Sequence, residues 1–453
     1  MKTISLEDAN RLVLEGDSYS KDVLKKVQKE RLHALVDFAR ENSPYLAELY
    51  KDLPEDYSVE DLPVTEKSEL LKNYDSWVTD PELKEEIVRT YLARDPSDTS
   101  LLLGKYTALQ TSGSTGNPLP MVRDDYHNKI HGALLRNRLF YGLTPGLFDH
   151  SKHKTVFLVH ISNSASSYGS YLKMKRLRPG FEENIAAFPI TDSIDVTVEK
   201  LNSFQPEIIV AYPPVLVMLA EERLKGTLDI PLKLILSSAE LLTEESYHRV
   251  HDVFGVPILN NYCMTEGGEI AMTHDCPHLH INEDWIIVEP VDENRQPVGD
   301  SSEYSSGILV TDLTNYVQPI IRYYVSDSVR IHREDYPCYN RPVLDIRGRV
   351  WDSFTLGGKK FTTKALEVKA KFQEGLCSYQ FLKKDADTME VRGVVAADSE
   401  PDAVLSGLAD KLLGYFRESG AEGVKVVYST EAPISNQAGG KTPMYKEMSD
   451  DVK

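Results

Sequence analysis

The stretch Leu109-Gln-Thr-Ser-Gly-Ser-Thr-Gly-Asn-Pro118 decides how the rest of the chain is read. Thr111, Ser112, Ser114 and Thr115 bring four hydroxyls into a short segment, and Gly113 and Gly116 let the backbone approach something small. An apolar run precedes it and a proline follows, so it reads as a loop leaving a buried strand. N–H and O–H donors gathered in this way suit polyphosphate oxygens. The P-loop of kinases and GTPases is excluded, because no Gly-Lys-Ser/Thr ending follows Gly116. Alone, the segment is equally an unliganded Ser/Gly turn, and its meaning depends on what lies downstream.

A chain of 453 residues is too long for one compact core, so two or three domains are expected. The net charge is −19 and no basic run of five or more residues occurs, which argues against nucleic acid or an anionic membrane surface as partner. Acids near Met1 leave no apolar signal segment, and Pro206 and the Pro213-Pro214 pair interrupt the most apolar region. Four cysteines, Cys263, Cys276, Cys338 and Cys377, are too few for a disulfide scaffold. A cytoplasmic protein without membrane insertion is the expectation.

Charged helical patterns cover 5–48 and 65–95, and a polar helix is expected over Asp124–Tyr141. Apolar strands at Thr155–Val159, Ile185–Pro189, Glu207–Val210, Leu232–Leu236 and Pro257–Leu259 alternate with helical segments, which predicts parallel sheet covered by helices. From Trp285 the strands shorten and polar turns separate them, predicting a β-rich subdomain. After Arg349 the order α-β-β-α-β predicts a small α+β domain. The fold class is therefore a large N-terminal α/β domain with a β-rich subdomain, followed by a small α+β C-terminal domain.

Four further segments carry chemistry. Asn260-Asn-Tyr-Cys-Met-Thr-Glu266 follows a buried strand: Tyr262 can stack on a base, Thr265 can bond a phosphate, and Glu266 offers a hard oxygen to Mg²⁺. Asp327 follows the apolar run Pro319–Val325 and suits the two hydroxyls of a ribose. Arg349, in Ile346-Arg-Gly-Arg-Val-Trp-Asp352, offers a bidentate fork where the two structural styles meet. Ser435-Asn-Gln-Ala-Gly-Gly-Lys441 presents one lysine on a glycine loop. Taken singly, each is as well explained by an ordinary turn, cap or tail.

Their order and spacing resemble the AMP-forming adenylating superfamily of acyl-CoA synthetases, nonribosomal adenylation domains and luciferases. Within it the chain resembles the phenylacetate-CoA ligase branch, from Asn42-Ser-Pro-Tyr and Asp61-Leu-Pro-Val-Thr-Glu-Lys to Lys441. The resemblance implies a phosphate loop over Thr111–Pro118, an adenine-side loop at Ser238-Ala239-Glu240, and nucleotide contacts from Asn261, Tyr262, Asp327 and Arg349. It further implies catalysis by Thr265, Glu266 and Lys441, and an acyl pocket that includes Ser164 and Tyr168. The domains would be 1–348 and 353–453, joined by a hinge over 349–352 that contains Trp351 and Asp352. Departures are Cys263 for the usual Gly, Ser326 before the ribose acid, and Trp351 where Asp or Lys is usual.

The implied activity is activation of a small, aromatic carboxylic acid with ATP and Mg²⁺, then thioester formation with CoA. Other readings are transfer to a carrier-protein phosphopantetheine or an amine, adenylylation of a cofactor hydroxyl, and a silent nucleotide-binding protein. A homodimer is also implied, as is structural zinc, for which His274, Cys276, His280 and Cys338 are the candidate ligands.

Overall fold

The computed structural model describes residues 2–95, 100–111, 118–140, 153–159, 166–177, 182–190, 194–238, 241–274, 276–299, 303–333, 340–349, 353–363, 369–370, 373–396, 399–431 and 445–448, with single residues between them. The chain separates into two compact units, one made of Met1–Ser112 and Leu119–Gly348, the other of Gly113–Pro118 and Arg349–Lys453.

The larger unit is organised by a nine-stranded sheet. Strands Ile185–Pro189, Thr155–Val159, Ile208–Ala211, Leu234–Ser238 and Ile258–Met264 lie side by side in that order, all parallel. Thr155–Val159 is buried at every residue, as a parallel strand covered on both faces must be. Val198, Leu201, Leu216, Leu219 and Val250 of the intervening helices pack on Ile209, Ile235 and Ile258. The helix Pro213–Lys225 begins on its prolines and stops at Gly226, whose φ of 77° lies in the left-handed region. Beyond Met264 the sheet continues with Gly268–Met272 and His280–Ile281, then Val343–Arg349 and Asp327–His332. A separate antiparallel sheet joins Ile286–Val291, Gly307–Asp312 and Tyr323–Val325, which is the expected β-rich part.

Three local expectations change. The strand read as Pro257–Leu259 runs on to Met264, because the polar residues Asn260–Met264 pair with Gly268–Met272. Pro120–Arg123 is a strand and pairs antiparallel with Thr107–Gln110. The helix expected over Asp124–Tyr141 spans Asp125–Leu134, capped by the Asp124 carboxylate on His127 N–H at 2.8 Å, and relaxes into one π-turn at Leu135–Leu139.

In the smaller unit, Leu376–Lys383 and Thr388–Val395 form an antiparallel pair, flanked in parallel by Tyr445–Glu447 and Lys425–Ser429. The helix Pro401–Glu418 buries Leu405, Leu408, Leu412 and Phe416 in a core shared with Phe381, Met389 and Val391. A hairpin of Ser353–Leu356 with Lys359–Thr362 was not anticipated from the sequence. Among the described residues no helix is long and apolar enough to cross a membrane.

A buried charge cluster fastens the N-terminal helices to the large unit. Asp284 is fully buried and accepts from Arg138 at 2.9 and 2.8 Å and from Arg341 at 2.9 Å. Arg138 also reaches Asp17 at 2.8 Å, and Arg341 donates to the Gly16 carbonyl at 2.7 Å. A Cβ on Gly16 would stand 2.4 Å from Asp284 Oδ2, so the helix Leu6–Asp17 approaches through that glycine. Burial raises the Asp284 pKa, but the Arg138 and Arg341 charges override this and hold it well below the usual 3.8. Asp284→Ala leaves two buried guanidinium groups with Asp17 alone as close counter-charge and is expected to cost about 3–5 kcal/mol in urea denaturation. Because the folded pKa is depressed, this stabilisation is complete above pH ~4 and fades as pH falls below it; Asp284→Asn is expected to flatten that acid limb.

Candidate active site

Thr111 ties the end of the strand Thr107–Gln110 to Leu119. Its N–H donates to the Leu119 carbonyl at 3.1 Å, and its Oγ1 accepts from Leu119 N–H at 2.9 Å. Thr111 is nearly buried and fastens the strand pair. Ser112, Gly113, Ser114, Thr115 and Gly116 lie outside the described residues, as do Ala239, Glu240, Ser164, Trp351, Asp352, Cys338 and Lys441. Arg349 ends the strand Val343–Arg349, its side chain outside the description.

Parallel register puts Ser238 beside Asn261, at the carboxyl ends of adjacent strands. Open α/β sheets bind their ligands at such strand ends. The irregularity between Tyr262 and Cys263 is a bulge in the pairing with Gly268–Met272, a common device for re-aiming side chains beside a site. Met264 pairs with Gly268, so Thr265, Glu266 and Gly267 form a three-residue hairpin tip. Gly268 follows it with φ 64°, as such tips require. Thr265 and Glu266 therefore sit on a turn held between paired strands.

Two hydrogen bonds join this hairpin to the segment after Arg322. The Tyr262 hydroxyl donates to Asp327 Oδ2 at 2.5 Å, and the Tyr323 hydroxyl donates to Glu266 Oε1 at 3.1 Å. From the other side Arg123 Nη2 donates to the carbonyls of Thr265 at 2.9 Å and Met264 at 3.4 Å. Asn261, Tyr262, Thr265, Glu266 and Asp327 are thus brought together, with Ser238 one strand away. The ribose-side segment is itself pinned. Arg322 has φ 45° and is buried, giving charge-assisted bonds to Glu289 at 3.1 and 2.9 Å and to the Leu62 carbonyl at 2.6 Å. Thr65 N–H donates to the Arg322 carbonyl and Tyr324 N–H to the Thr65 carbonyl, both at 3.0 Å.

Tyr168 is buried on the helix Ser166–Leu177 and stacks on Tyr171, with ring centroids 5.6 Å apart. Phe157, Val159, Ile185 and Val210 complete that apolar cluster. Burial pushes the Tyr168 phenol above its usual value, and pushes the Cys263 thiol up to about 11, which keeps the sulfur protonated and unreactive. His280 is buried, donates from Nδ1 to the Arg341 carbonyl at 3.0 Å, and turns Nε2 to Cys276 Sγ at 3.2 Å. Cys276 is disulfide-bonded here. His274 is half-buried two residues away in sequence.

Arg123 and Tyr323 were missed in the sequence. Each contacts the hairpin tip from a distant segment, and nothing in their own neighbourhood announces it. Glu269 was also missed, although it stands only three residues after Glu266.

No family model matches the chain. Phenylacetate-coenzyme A ligase of Thermus thermophilus is 25% identical over 430 residues, covering 90% of this chain and 86% of the relative. Protein CapK of Staphylococcus aureus is 22% identical over 404 residues, covering 85% and 82%. Among solved structures, 2-hydroxyisobutyryl-CoA ligase in its postadenylation state, in complex with R3-HIB-AMP, matches with a TM-score of 0.61 at 17% identity, covering 96% of this chain and 91% of that one. The same ligase with 2-HIB-AMP and CoA in its thioesterification state matches with a TM-score of 0.58. The fold is that of the adenylate-forming ligases. Within that class the similarity runs to the phenylacetate-CoA ligase and CapK branch, as the motifs implied.

The geometry of the hairpin tip can be tested with two glycines that share φ 64°. A Cβ at Gly268 would lie 2.2 Å from the His131 ring, whereas one at Gly255 meets nothing within 4 Å. Gly255→Ala is expected to cost about 1–2 kcal/mol, the backbone cost alone. Gly268→Ala should cost clearly more in the same denaturation series.

Proposed function

We propose that this chain activates a carboxylic acid by forming an acyl-adenylate from ATP, then transfers the acyl group to the thiol of CoA. The observation that carries the reading is the Tyr262–Asp327 hydrogen bond, which unites two nucleotide motifs separated by more than sixty residues in the chain. The relatives named as phenylacetate-coenzyme A ligases, and the ligase captured with an acyl-AMP and CoA, support both half-reactions.

A carboxylate oxygen attacks the α-phosphorus of ATP, the α–β bridging bond breaks, and pyrophosphate leaves. The acyl group then carries a stabilised phosphate leaving group. In the second step the thiol sulfur attacks the carbonyl carbon, its proton passes to solvent or base, and AMP departs. Asp327 is assigned to the ribose hydroxyls, Tyr262 to the adenine face, and Thr265 with the loop 111–116 to the phosphates. Arg123 holds the Thr265 carbonyl and so fixes the direction of that residue. Mg²⁺ fits the carboxylate of Glu266, where it would offset charge developing on the pyrophosphate oxygens. Lys441 is assigned to the first half-reaction, and Arg349, Trp351 and Asp352 to the hinge that exchanges one catalytic arrangement for the other.

The aromatic cluster of Tyr168, Tyr171 and Phe157 favours an aromatic acid, with Ser164 on the same segment of the acyl pocket. Free CoA is the assigned acceptor, and carrier-bound phosphopantetheine is the alternative acceptor with the same thiol chemistry. A homodimer and a cytoplasmic location complete the reading. Zinc on His274, Cys276, His280 and Cys338 requires reduced sulfur; elemental analysis of protein purified under reducing conditions tests it.

ATP–pyrophosphate exchange against a panel of carboxylic acids is the primary experiment. Acid-dependent exchange followed by thioester on adding CoA is expected. AMP retained in a final non-thioester product would instead indicate adenylylation of a hydroxyl. Lys441→Ala should abolish exchange while supplied acyl-AMP is still thiolysed within about tenfold of the parent rate; equal loss of both steps contradicts its assignment. Glu266→Gln should shift the Mg²⁺ titration of exchange to higher concentration, and an unchanged titration removes Glu266 from the metal.

A further inference from the structure

Behind the hairpin tip lies a buried group of side chains that the adenylation chemistry does not use. His127 and His131 stand four apart on the helix Asp125–Leu134, and therefore on one face. Their rings stack at 4.0 Å, and they are 1% and 4% exposed. Asp312, at the end of the strand Gly307–Asp312, has no exposure. His127 Nδ1 is 3.2 Å from Asp312 Oδ2, and His131 Nε2 is 3.8 Å from Asp312 Oδ1. The candidate ligand atoms of these three residues all lie within 4.8 Å of one another. Thr314 Oγ1 sits among them, 2.8 Å from His127 Nδ1, 3.0 Å from His131 Nε2 and 2.5 Å from Asp312 Oδ1.

The two imidazole–carboxylate separations, 3.2 and 3.8 Å, suit a metal, while Thr314 Oγ1 stands at hydrogen-bond distance from all three residues. Donors bonded at about 2.0–2.1 Å in a tetrahedral array stand roughly 3.3 Å apart. Two further observations point the same way. Asp312 Oδ2 is buried and without a well-aligned hydrogen-bond partner, 3.2 Å from His127 Nδ1, and a cation between the two would satisfy that oxygen. On the far side of the other ring, the Glu269 carboxylate bonds His131 Nδ1. A carboxylate there fixes the tautomer that turns Nε2 inward, the usual second partner of a ligating histidine. Gly268 leaves the His131 ring the space to occupy this position.

We infer that His127, His131 and Asp312, with Thr314 Oγ1 as fourth donor, form a closed binding site for one divalent cation of the zinc class. Two imidazoles and a carboxylate select a borderline metal over Mg²⁺ or Ca²⁺, which prefer all-oxygen sets. No direction is left for a substrate, so the ion is structural. It would tie the helix, the strand bearing Glu269 and the end of the strand bearing Asp312 into one support under Thr265 and Glu266. The site stands independently of the adenylation reading.

The test uses full-length Cys276→Ser protein, so that the His274, Cys276, His280 and Cys338 set loses a ligand, after chelator treatment and dialysis. Zn²⁺ titration is expected to give one tightly bound equivalent and a raised melting temperature. The Co²⁺-loaded protein should show visible ligand-field bands without sulfur-to-cobalt bands in the near ultraviolet. Glu269→Gln should weaken Zn²⁺ binding about 10–100-fold through the orientation of His131, and Asp312→Asn and His131→Ala should abolish the equivalent. Failure of the Cys276→Ser protein to bind Zn²⁺ or to gain thermal stability from it overturns the site. So does full binding retained by folded Asp312→Asn and His131→Ala proteins. Should those variants not fold, the titration and the cobalt spectrum of the Cys276→Ser protein decide alone.

Discussion

A carboxylate with no access to water anchors this molecule. Asp284 stays ionised inside the protein because Arg138 and Arg341 surround it, and those same arginines grip Asp17 and the Gly16 carbonyl. Taking such charges out of water is costly, and only close geometry compensates for it. The arrangement therefore permits one placement of the first helix against the large unit. It also links sequence segments near positions 16, 138, 284 and 341, which no local pattern would join.

On that frame the parallel sheet does what its polarity dictates. Carboxyl ends of neighbouring strands gather on one edge, and the chain uses them in turn: Ser238 at one, Asn261 beside it, and the hairpin beyond. The unusual element is the continuation of a polar motif as paired strand up to Met264. Pairing with Gly268–Met272 gives Thr265 and Glu266 a fixed turn, and tyrosines from both sides complete the connections. A preorganised turn suits chemistry in which charge moves on phosphate oxygens, because little has to reorganise during reaction.

Much of this was legible in the sequence. Apolar runs of four or five residues marked the parallel strands, and Thr155–Val159 and Ile185–Pro189 fall where they were read. Tyr262, Thr265, Glu266 and Asp327 were visible because their chemistry is compact and their order distinctive. The strand Pro120–Arg123 was not, since two prolines obscured a pairing that uses only an edge. The extension to Met264 was hidden because polar residues carry no periodic signal when the pairing partner lies beyond a turn. Arg123, Tyr323 and the His127–His131–Asp312 group depend on contacts between remote segments; only the four-residue spacing of the two histidines hinted at a shared face.

Arg322 carries a wider consequence. A non-glycine residue with φ 45° persists only where its surroundings over-determine it, and here Glu289 and the Leu62 carbonyl do so, with Thr65 bonded alongside. The residues around 60–66 therefore behave as a splint for a segment more than 250 positions later. Any hybrid protein that exchanges amino-terminal portions between relatives would have to transplant the splint and the Arg322 turn as a matched pair.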